Sequence, residues 1–406
     1  MQIRPILAAL RHHRGTTVLI VLQIALTLAI VCNALFIIQL RLAHIARPTG
    51  IDEADIAVIP NQWVGKVDTT QLPARLATDL AALRGLPGVV DAYADYTYPV
   101  AGPSAALLRV GLKPDQKAPT SFAEGYQADD HALSTLGLQL VAGRNFRPDE
   151  IVAGDVDGTL APPVVIVTRD LAERLFPHEP AVGRRIYLGD APSTIVGVVR
   201  HLEVPAVGTH SFAYCSVLMP SWPAWPYGNF YVLRARPGQL DAVIRAAPKA
   251  LLAIDRMRVM DGGAKRFGDL RAEVYANDRG VALLMGMICV VLLLATVGGI
   301  GGLTSFWVGQ RRKQIGIRRA IGATRSDILR HYQTENFLIV TSGIALGMLL
   351  AFVLNQLLMR HYELPRLPLL YLPVGALALW TLGQLAVLGP ALRAAAVPPV
   401  VATRSV

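Results

Sequence analysis

The sequence predicts an α-helical membrane protein with four transmembrane helices and a large α+β extracytoplasmic domain. Three observations carry that expectation. Four uncharged apolar runs, at 17–40, 280–308, 336–359 and 367–392, each reach or exceed the ~20 residues needed to cross about 30 Å of hydrocarbon. Of 406 residues, 53% are hydrophobic and only 17% charged, against about 25% charge in an ordinary soluble domain. The net charge of +10 lies beside the apolar runs: residues 1–15 carry +3, residues 309–330 carry +6 and residues 393–406 carry +2. That placement is the positive-inside pattern of a membrane protein and argues against a nucleic-acid partner.

The elements follow in chain order. Residues 1–15 read as a cytoplasmic amphipathic segment, with Ile3, Ile6, Leu7 and Leu10 at helical spacing between Arg4 and Arg11. Transmembrane helix one is expected over 16–41. Its apolar core is about twice the 7–15 residues of a signal peptide, and no clear A-x-A site follows, which favours an uncleaved anchor. Beyond it, Leu72, Leu76, Leu80, Leu83 and Leu86 mark an amphipathic helix, and VVDAYADYTYPV follows as a strand. From about 115 to 220, Pro, Gly and Asp become frequent. Strands are expected there at 163–167 and 193–199, with a helix at 168–176 that starts on Thr168 as N-cap. After Asn229 the strand-and-helix pattern of residues 52–100 returns, with a helix over 239–254. The simplest account is one βα-rich subdomain, 42–114 and 221–270, interrupted by a second at 115–220. Transmembrane helix two is expected over 271–308, a cytoplasmic loop over 309–332, helices three and four over 333–359 and 367–392, and a cytoplasmic tail over 393–406. The basic flanks then place both termini in the cytoplasm and residues 41–279 outside.

Catalytic machinery is absent from the pattern. The sole Gly-Lys pair, Gly65-Lys66, precedes Val67 and forms no phosphate-cradling loop. There is no H-E-x-x-H, G-x-S-x-G or C-x-x-C. No Asp, Glu, Lys or Arg lies deep in an apolar run, which argues against a proton-coupled carrier. The chain therefore reads as a non-enzyme, with no cofactor or metal of its own. Gly298, Gly299, Gly301 and Gly302 give helix two a small-residue face, open to a dimer-seam reading and equally to intrachain packing. Trp222, Trp225, Tyr227, Phe230 and Tyr231 form an aromatic stretch for which core packing outweighs a partner surface.

The informative segment is GQRRKQIGIRRAIGATRSDILRHYQTE, residues 309–335. Arg311 to Ala320 reads as a basic helical extension of helix two, broken at Gly322. Ser326 can start a new short helix. Ile315, Ile317, Ile321, Ile328 and Leu329 are apolar in a charged loop and call for a protein partner or the membrane.

This stretch resembles the signature of MacB/FtsX-type ABC transporter permeases, also called type VII or mechanotransmission transporters. The pattern is a basic-E-I-G-I-R-[RK]-A-[IL]-G-A-[TS]-x-x-x-I segment followed by a Glu-containing third span. It is matched here by Ile315 to Thr324, by Ile328 and by Glu335, with Gln314 in place of the usual Glu. LVAGRNFRPDE (140–150), PPVVIVTRDLAERLF (162–176) and AVGRRIYLGDAPSTIVGVVR (181–200) resemble the family's outside domain, and GPALRAAAVPPVVATRS resembles its C-terminus.

The resemblance implies a permease subunit in the bacterial cytoplasmic (inner) membrane. It would transmit ATP-driven motion from a separate cytoplasmic ABC ATPase dimer, which binds ATP and Mg, to the outside domain. The subdomain names it implies are porter-like (42–114 and 221–270) and Sabre-like (115–220). Arg318, Arg319, Ala320, Ile321, Gly322, Ala323, Thr324, Asp327 and Ile328 would form the ATPase-contacting coupling segment. Further implied partners are membrane lipid, a second permease copy or a paralogue, and a periplasmic adaptor with an outer-membrane channel. The implied work is export or extrusion of a peptide, antibiotic or other hydrophobic substrate. The alternatives are an FtsX-like scaffold controlling a cell-wall hydrolase and a lipoprotein-release permease.

Overall fold

The computed structural model describes residues 14–65, 67–103, 107–114, 116–154, 162–189, 191–205, 212–223, 225–362 and 366–396. The expected amphipathic segment up to residue 13 and the tail from residue 397 lie outside the described residues. The chain divides into two units, 1–46 with 277–406, and 47–276.

The first described element is the long apolar helix α1 (Arg14–Ile45). The α+β unit then opens with β1 (Ile56–Trp63), α2 (Leu72–Arg84) and β2 (Val89–Asp95). Next come β3 (Leu107–Val110), β4 (Ser121–Gln127), the short α3 (Ala132–Leu136), β5 (Leu140–Gly143) and β6 (Val152–Ala153). They are followed by β7 (Val164–Thr168), α4 (Arg169–Leu175), β8 (Arg185–Tyr187), β9 (Pro192–Val199), β10 (Ser216–Met219) and β11 (Ser221–Trp222). The unit closes with β12 (Gly228–Ala235), α5 (Leu240–Ile254), β13 (Arg258–Val259), β14 (Lys265–Arg266) and α6 (Phe267–Val274).

These strands form two principal sheets. The first is antiparallel, in the order β13–β1–β12–β2, with β14 also on β1. Leu76, Leu80 and Leu83 of α2 and Val243, Ala247 and Leu251 of α5 pack on its Ala57, Ile59, Ala92, Tyr231 and Leu233. The second is mixed, in the order β3–β4–β10–β7–β9–β5, with β8 on β9. Its core joins Leu171 and Leu175 of α4 to Val165, Val167, Ile195, Val198 and Val217. A small parallel pair, β6 with β11, completes the unit.

Two expectations for this unit are corrected. The boundary at 114/115 separates β3 from its own sheet. Leu107 to Val110 pair antiparallel with Glu124 to Ser121, because the short connection folds β3 straight back on β4. Thr168 stands at the N-cap of α4 but does not cap it. Its hydroxyl donates to the Tyr214 carbonyl at 2.5 Å, tying β7 to the segment before β10.

The helical unit contains α1, α7 (Ala276–Gln310), α8 (Arg312–Ala320), α9 (Arg325–Tyr362) and α10 (Tyr371–Ala395). Four of these, α1, α7, α9 and α10, are long and apolar enough to cross a membrane. In the shared core, Ile24 and Leu28 of α1 meet Val340 and Ile344 of α9 and Leu379 and Val387 of α10. Helix two was expected to start at 271. The chain instead ends α6 at Val274 and begins α7 at Ala276. The separate short helix expected from Ser326 is the first two turns of α9, because no Gly or Pro interrupts residues 325–342.

Candidate functional site

The loop between α7 and α9 is built from three small devices. At Arg311 (φ −97°, ψ 10°) the backbone leaves the helix, so α8 is a separate helix and not a straight continuation of α7. Arg311 reaches toward Glu335 on α9, with 3.8 Å between charged atoms, and the Glu335 carboxylate is buried. At its other end α8 stops in a Schellman turn. The Ala323 amide donates to the Arg318 carbonyl at 3.0 Å and the Gly322 amide to the Arg319 carbonyl at 3.2 Å. Gly322 supplies the positive φ of +108° that this turn requires. The residue that caps α9 is Thr324 and not Ser326. The Thr324 amide donates to Asp327 Oδ2 at 3.0 Å, and the Asp327 amide donates back to Thr324 Oγ1 at 3.2 Å. This reciprocal pairing is a capping box, legible in the sequence as the T-x-x-D spacing.

These devices sort the nine candidate coupling residues. Ile321 is 82% exposed, while Ile328 is buried in the helical core with Ile315 and Tyr332. Arg318, Ala320, Gly322, Thr324 and Asp327 are exposed, and Arg319 and Ala323 half-buried. The loop apex therefore presents Ile321 on a hydrogen-bonded turn, with Ile317 of α8 44% exposed one turn earlier, and Ile328 anchors that turn from beneath. Gln314 is exposed on α8.

The four candidate glycines separate as well. A side chain at Gly299 would meet Gln23 of α1 at 2.8 Å, and one at Gly301 would come within 3.4 Å of the Ala386 carbonyl on α10. Gly298 and Gly302 meet nothing within 4 Å. Two further close-packed glycines are ones the sequence reading missed. Gly343 and Gly347 of α9 lie against Ile24, Ala25 and Leu28 of α1, with 2.8–2.9 Å to the position a Cβ would take. Their four-residue spacing is the signal that marks them. Polar bonds reinforce these seams. Asn33 Nδ2 donates to the Ala351 carbonyl at 3.1 Å, Asn336 Nδ2 to the Gly383 carbonyl at 2.9 Å, and Thr27 pairs with Thr296 at 2.8 Å.

In the aromatic stretch of the α+β unit, Tyr231 is fully buried, whereas Trp225 and Tyr227 are 51% and 71% exposed with ring centroids 5.6 Å apart. Core packing accounts for the former and not for the latter two. Among the described residues no group of three or more His, Cys, Asp or Glu is placed to hold a metal ion.

Comparison with known proteins now decides the family. Residues 17–251, more than half of the chain, match the MacB-like periplasmic core domain, and residues 286–399 match the FtsX-like permease C-terminal domain. The chain belongs to the MacB/FtsX-type ABC transporter permeases. The macrolide export ATP-binding/permease protein MacB of Shewanella sp. (strain ANA-3) is 27% identical over 363 residues, covering 86% of this chain and 52% of that protein. The chain thus spans about half the length of that relative. The ABC transporter permease YvrN of Bacillus subtilis (strain 168) is 25% identical over 322 residues, covering 75% of this chain and 76% of that protein. The crystal structure of the periplasmic region of MacB from Actinobacillus actinomycetemcomitans aligns with a TM-score of 0.35 at 13% identity, covering 57% of this chain and 97% of that one. This permease is a multi-pass membrane protein, with four apolar helices and one large α+β domain among the described residues.

Proposed function

We propose that this permease is the membrane subunit of an ATP-driven exporter of the bacterial inner membrane. It consumes no nucleotide. A separate cytoplasmic ABC ATPase dimer binds ATP and Mg, and its closure drives the chain. The contact is the apex of the α8–α9 turn, with Ile321 inserted as the apolar knob. Gly322, Ala323, Thr324 and Asp327 shape the turn, and Arg318, Arg319 and Ala320 flank it beside acidic ATPase side chains or lipid headgroups. The single observation that carries this reading is the exposure of Ile321 on a turn closed by a Schellman motif on one side and a capping box on the other. A hydrogen-bonded turn with an exposed apolar tip passes displacement into two helices at once, a rigid-body mode of switching.

The exposed Gly298 and Gly302 make α7 the helix that meets a second permease copy or a paralogue. Residues 47–276 face the outside, as a porter-like subdomain on the first sheet and a Sabre-like subdomain on the second. The substrate class is a peptide, antibiotic or other hydrophobic molecule, and an adaptor with an outer-membrane channel would continue its route. Export is preferred to an FtsX-like signalling role because the second, seven-stranded sheet gives this domain more than the small outside module of such scaffolds.

The test is reconstitution of the full chain with its ABC ATPase partner. Deletion of 320–329, or the pair Arg318→Glu and Arg319→Glu, is expected to abolish copurification of the ATPase and coupled ATP hydrolysis. Undiminished coupling after the deletion would overturn the proposal.

A further inference from the structure

Three segments of the α+β unit close on one buried carboxyl group. The first, residues 47–53, follows the chain's entry into the unit, and the last, residues 271–275, precedes its exit. Between them lies the loop 201–204, which joins β9 to the segment leading to β10. The entry segment lies flat on this loop. The Glu203 amide donates to the Thr49 carbonyl at 3.0 Å. Gly50, at φ +86°, approaches the His201 carbonyl so closely that a Cβ would stand 2.1 Å from its oxygen. Entry and exit segments are joined by Arg271, whose Nη1 donates to Glu53 Oε1 at 2.7 Å and whose Nη2 donates to the Arg47 carbonyl at 2.9 Å. Thr49 Oγ1 also donates to Glu53 Oε1, at 2.6 Å.

Glu203 sits at the centre and is 4% exposed. Its Oε1 receives one long bond from the Tyr275 hydroxyl, 3.5 Å, and its Oε2 has no partner. The charged and titratable groups around it are Arg47 and Glu53 from the entry segment, Arg271 and Tyr275 from the exit segment, Tyr214 before β10, Tyr126 on β4, and, on the loop itself, His201, whose Nδ1 lies 2.8 Å from Asp170 Oδ2 of α4. The Tyr126 hydroxyl donates to the Glu203 main-chain carbonyl at 2.9 Å and leaves the carboxyl group alone.

We propose that Glu203 is a proton-operated latch at the root of the α+β unit: neutral, it keeps the entry and exit segments shut on the loop 201–204, and ionised, it drives that loop open toward water. The physical reason is desolvation. A buried carboxylate with one unpaired oxygen is costly, and leaving the enclosure is the available relief. Burial lifts this carboxyl from its ordinary 4.5 to about 7, against the opposing pull of Arg47 and Arg271. The closed state therefore holds the proton more tightly than the opened one. Closure is fully favoured below about 4.5 and is lost progressively as pH rises to about 7, beyond which no further loss occurs. The latch rests on the reading of residues 47–276 as the outside domain, where the surrounding pH varies. Its test needs no ATPase, so its failure leaves the coupling proposal standing.

The experiment is hydrogen exchange on the purified full-length chain in lipid nanodiscs, with rates corrected for the intrinsic pH dependence of exchange. Protection of the Glu203 amide is expected to fall by about tenfold for each pH unit between about 4.5 and about 7 and then to level off. In Glu203→Gln, which keeps the shape and cannot ionise, protection is expected to stay high and flat. Should that variant fail to fold, Tyr275→Phe serves: it removes a bond that favours the ionised form, so the fall, which still begins near 4.5, continues to a higher pH before it levels off. Wild-type protection that ignores pH, a Gln variant that follows the wild-type curve, or a Phe variant that levels off where the wild type does would each overturn the latch.

Discussion

Gly322 and Thr324 hold the same turn by different means. Gly322 does so through backbone freedom: nothing crowds it, yet at φ +108° any side chain is strained. Thr324 does so through a hydroxyl that satisfies the first turn of α9. Replacing Thr324 by Ala is expected to cost that helix end about 1 kcal/mol. The amides of residues 325–328 should then exchange about fivefold faster, with the rest of α9 unchanged. Unaltered exchange would mean that Asp327 alone sustains the cap. Asp79 illustrates what residue patterns hide. It lies on the leucine face of α2, fully buried, where the stripe of Leu72, Leu76, Leu80 and Leu83 promises only apolar contacts. Its bidentate partner is Arg258 at 2.8 and 3.1 Å, with the Tyr231 hydroxyl at 2.5 Å. A buried carboxylate demands such partners, and these stand 179 and 152 positions away in the chain.

At the level of elements, two helices carry glycines four residues apart, and packing gives them opposite fates. Gly343 and Gly347 let α9 sit directly on α1. Gly298 and Gly302 leave a bare strip on α7, a helix whose Leu283 and Leu294 are also 67% and 66% exposed. Gly347→Leu is accordingly expected to overpack the bundle, costing about 1–3 kcal/mol or more, and to lower the thermal midpoint of the isolated chain. Gly302→Leu is expected to leave that midpoint unchanged and to weaken association of permease copies, read by subunit counting in nanodiscs. A lowered midpoint for Gly302→Leu would place that face inside the chain's own bundle. The strand and helix patterns of the α+β unit were largely readable: α2, β7, β9 and α5 all stand within a few residues of their expected places, because each has a strong apolar period of its own. The β3–β4 hairpin was not, since Leu107 to Val110 carry a mixed pattern and gain their meaning from Ser121 to Glu124 opposite.

For the whole molecule, topology is the property most open to direct test. All three native cysteines are buried, so single introduced cysteines report cleanly. Ile321→Cys is expected to react with an impermeant maleimide only from the cytoplasmic face, and Tyr227→Cys only from the other. Labelling of both from one side would reverse the assignment of the α+β unit. The membrane class, the four spans and the family signature were decided by sequence alone. Apolar length, basic flanks and a ten-residue motif are linear quantities that survive without coordinates. Only the tertiary structure decided which isoleucines of the loop are exposed and which are anchored, which glycines touch a neighbouring helix, and which acid is sealed at the root of the α+β unit. Those outcomes depend on partners brought together from distant parts of the chain, and the cost or gain of burying a group is set by those partners.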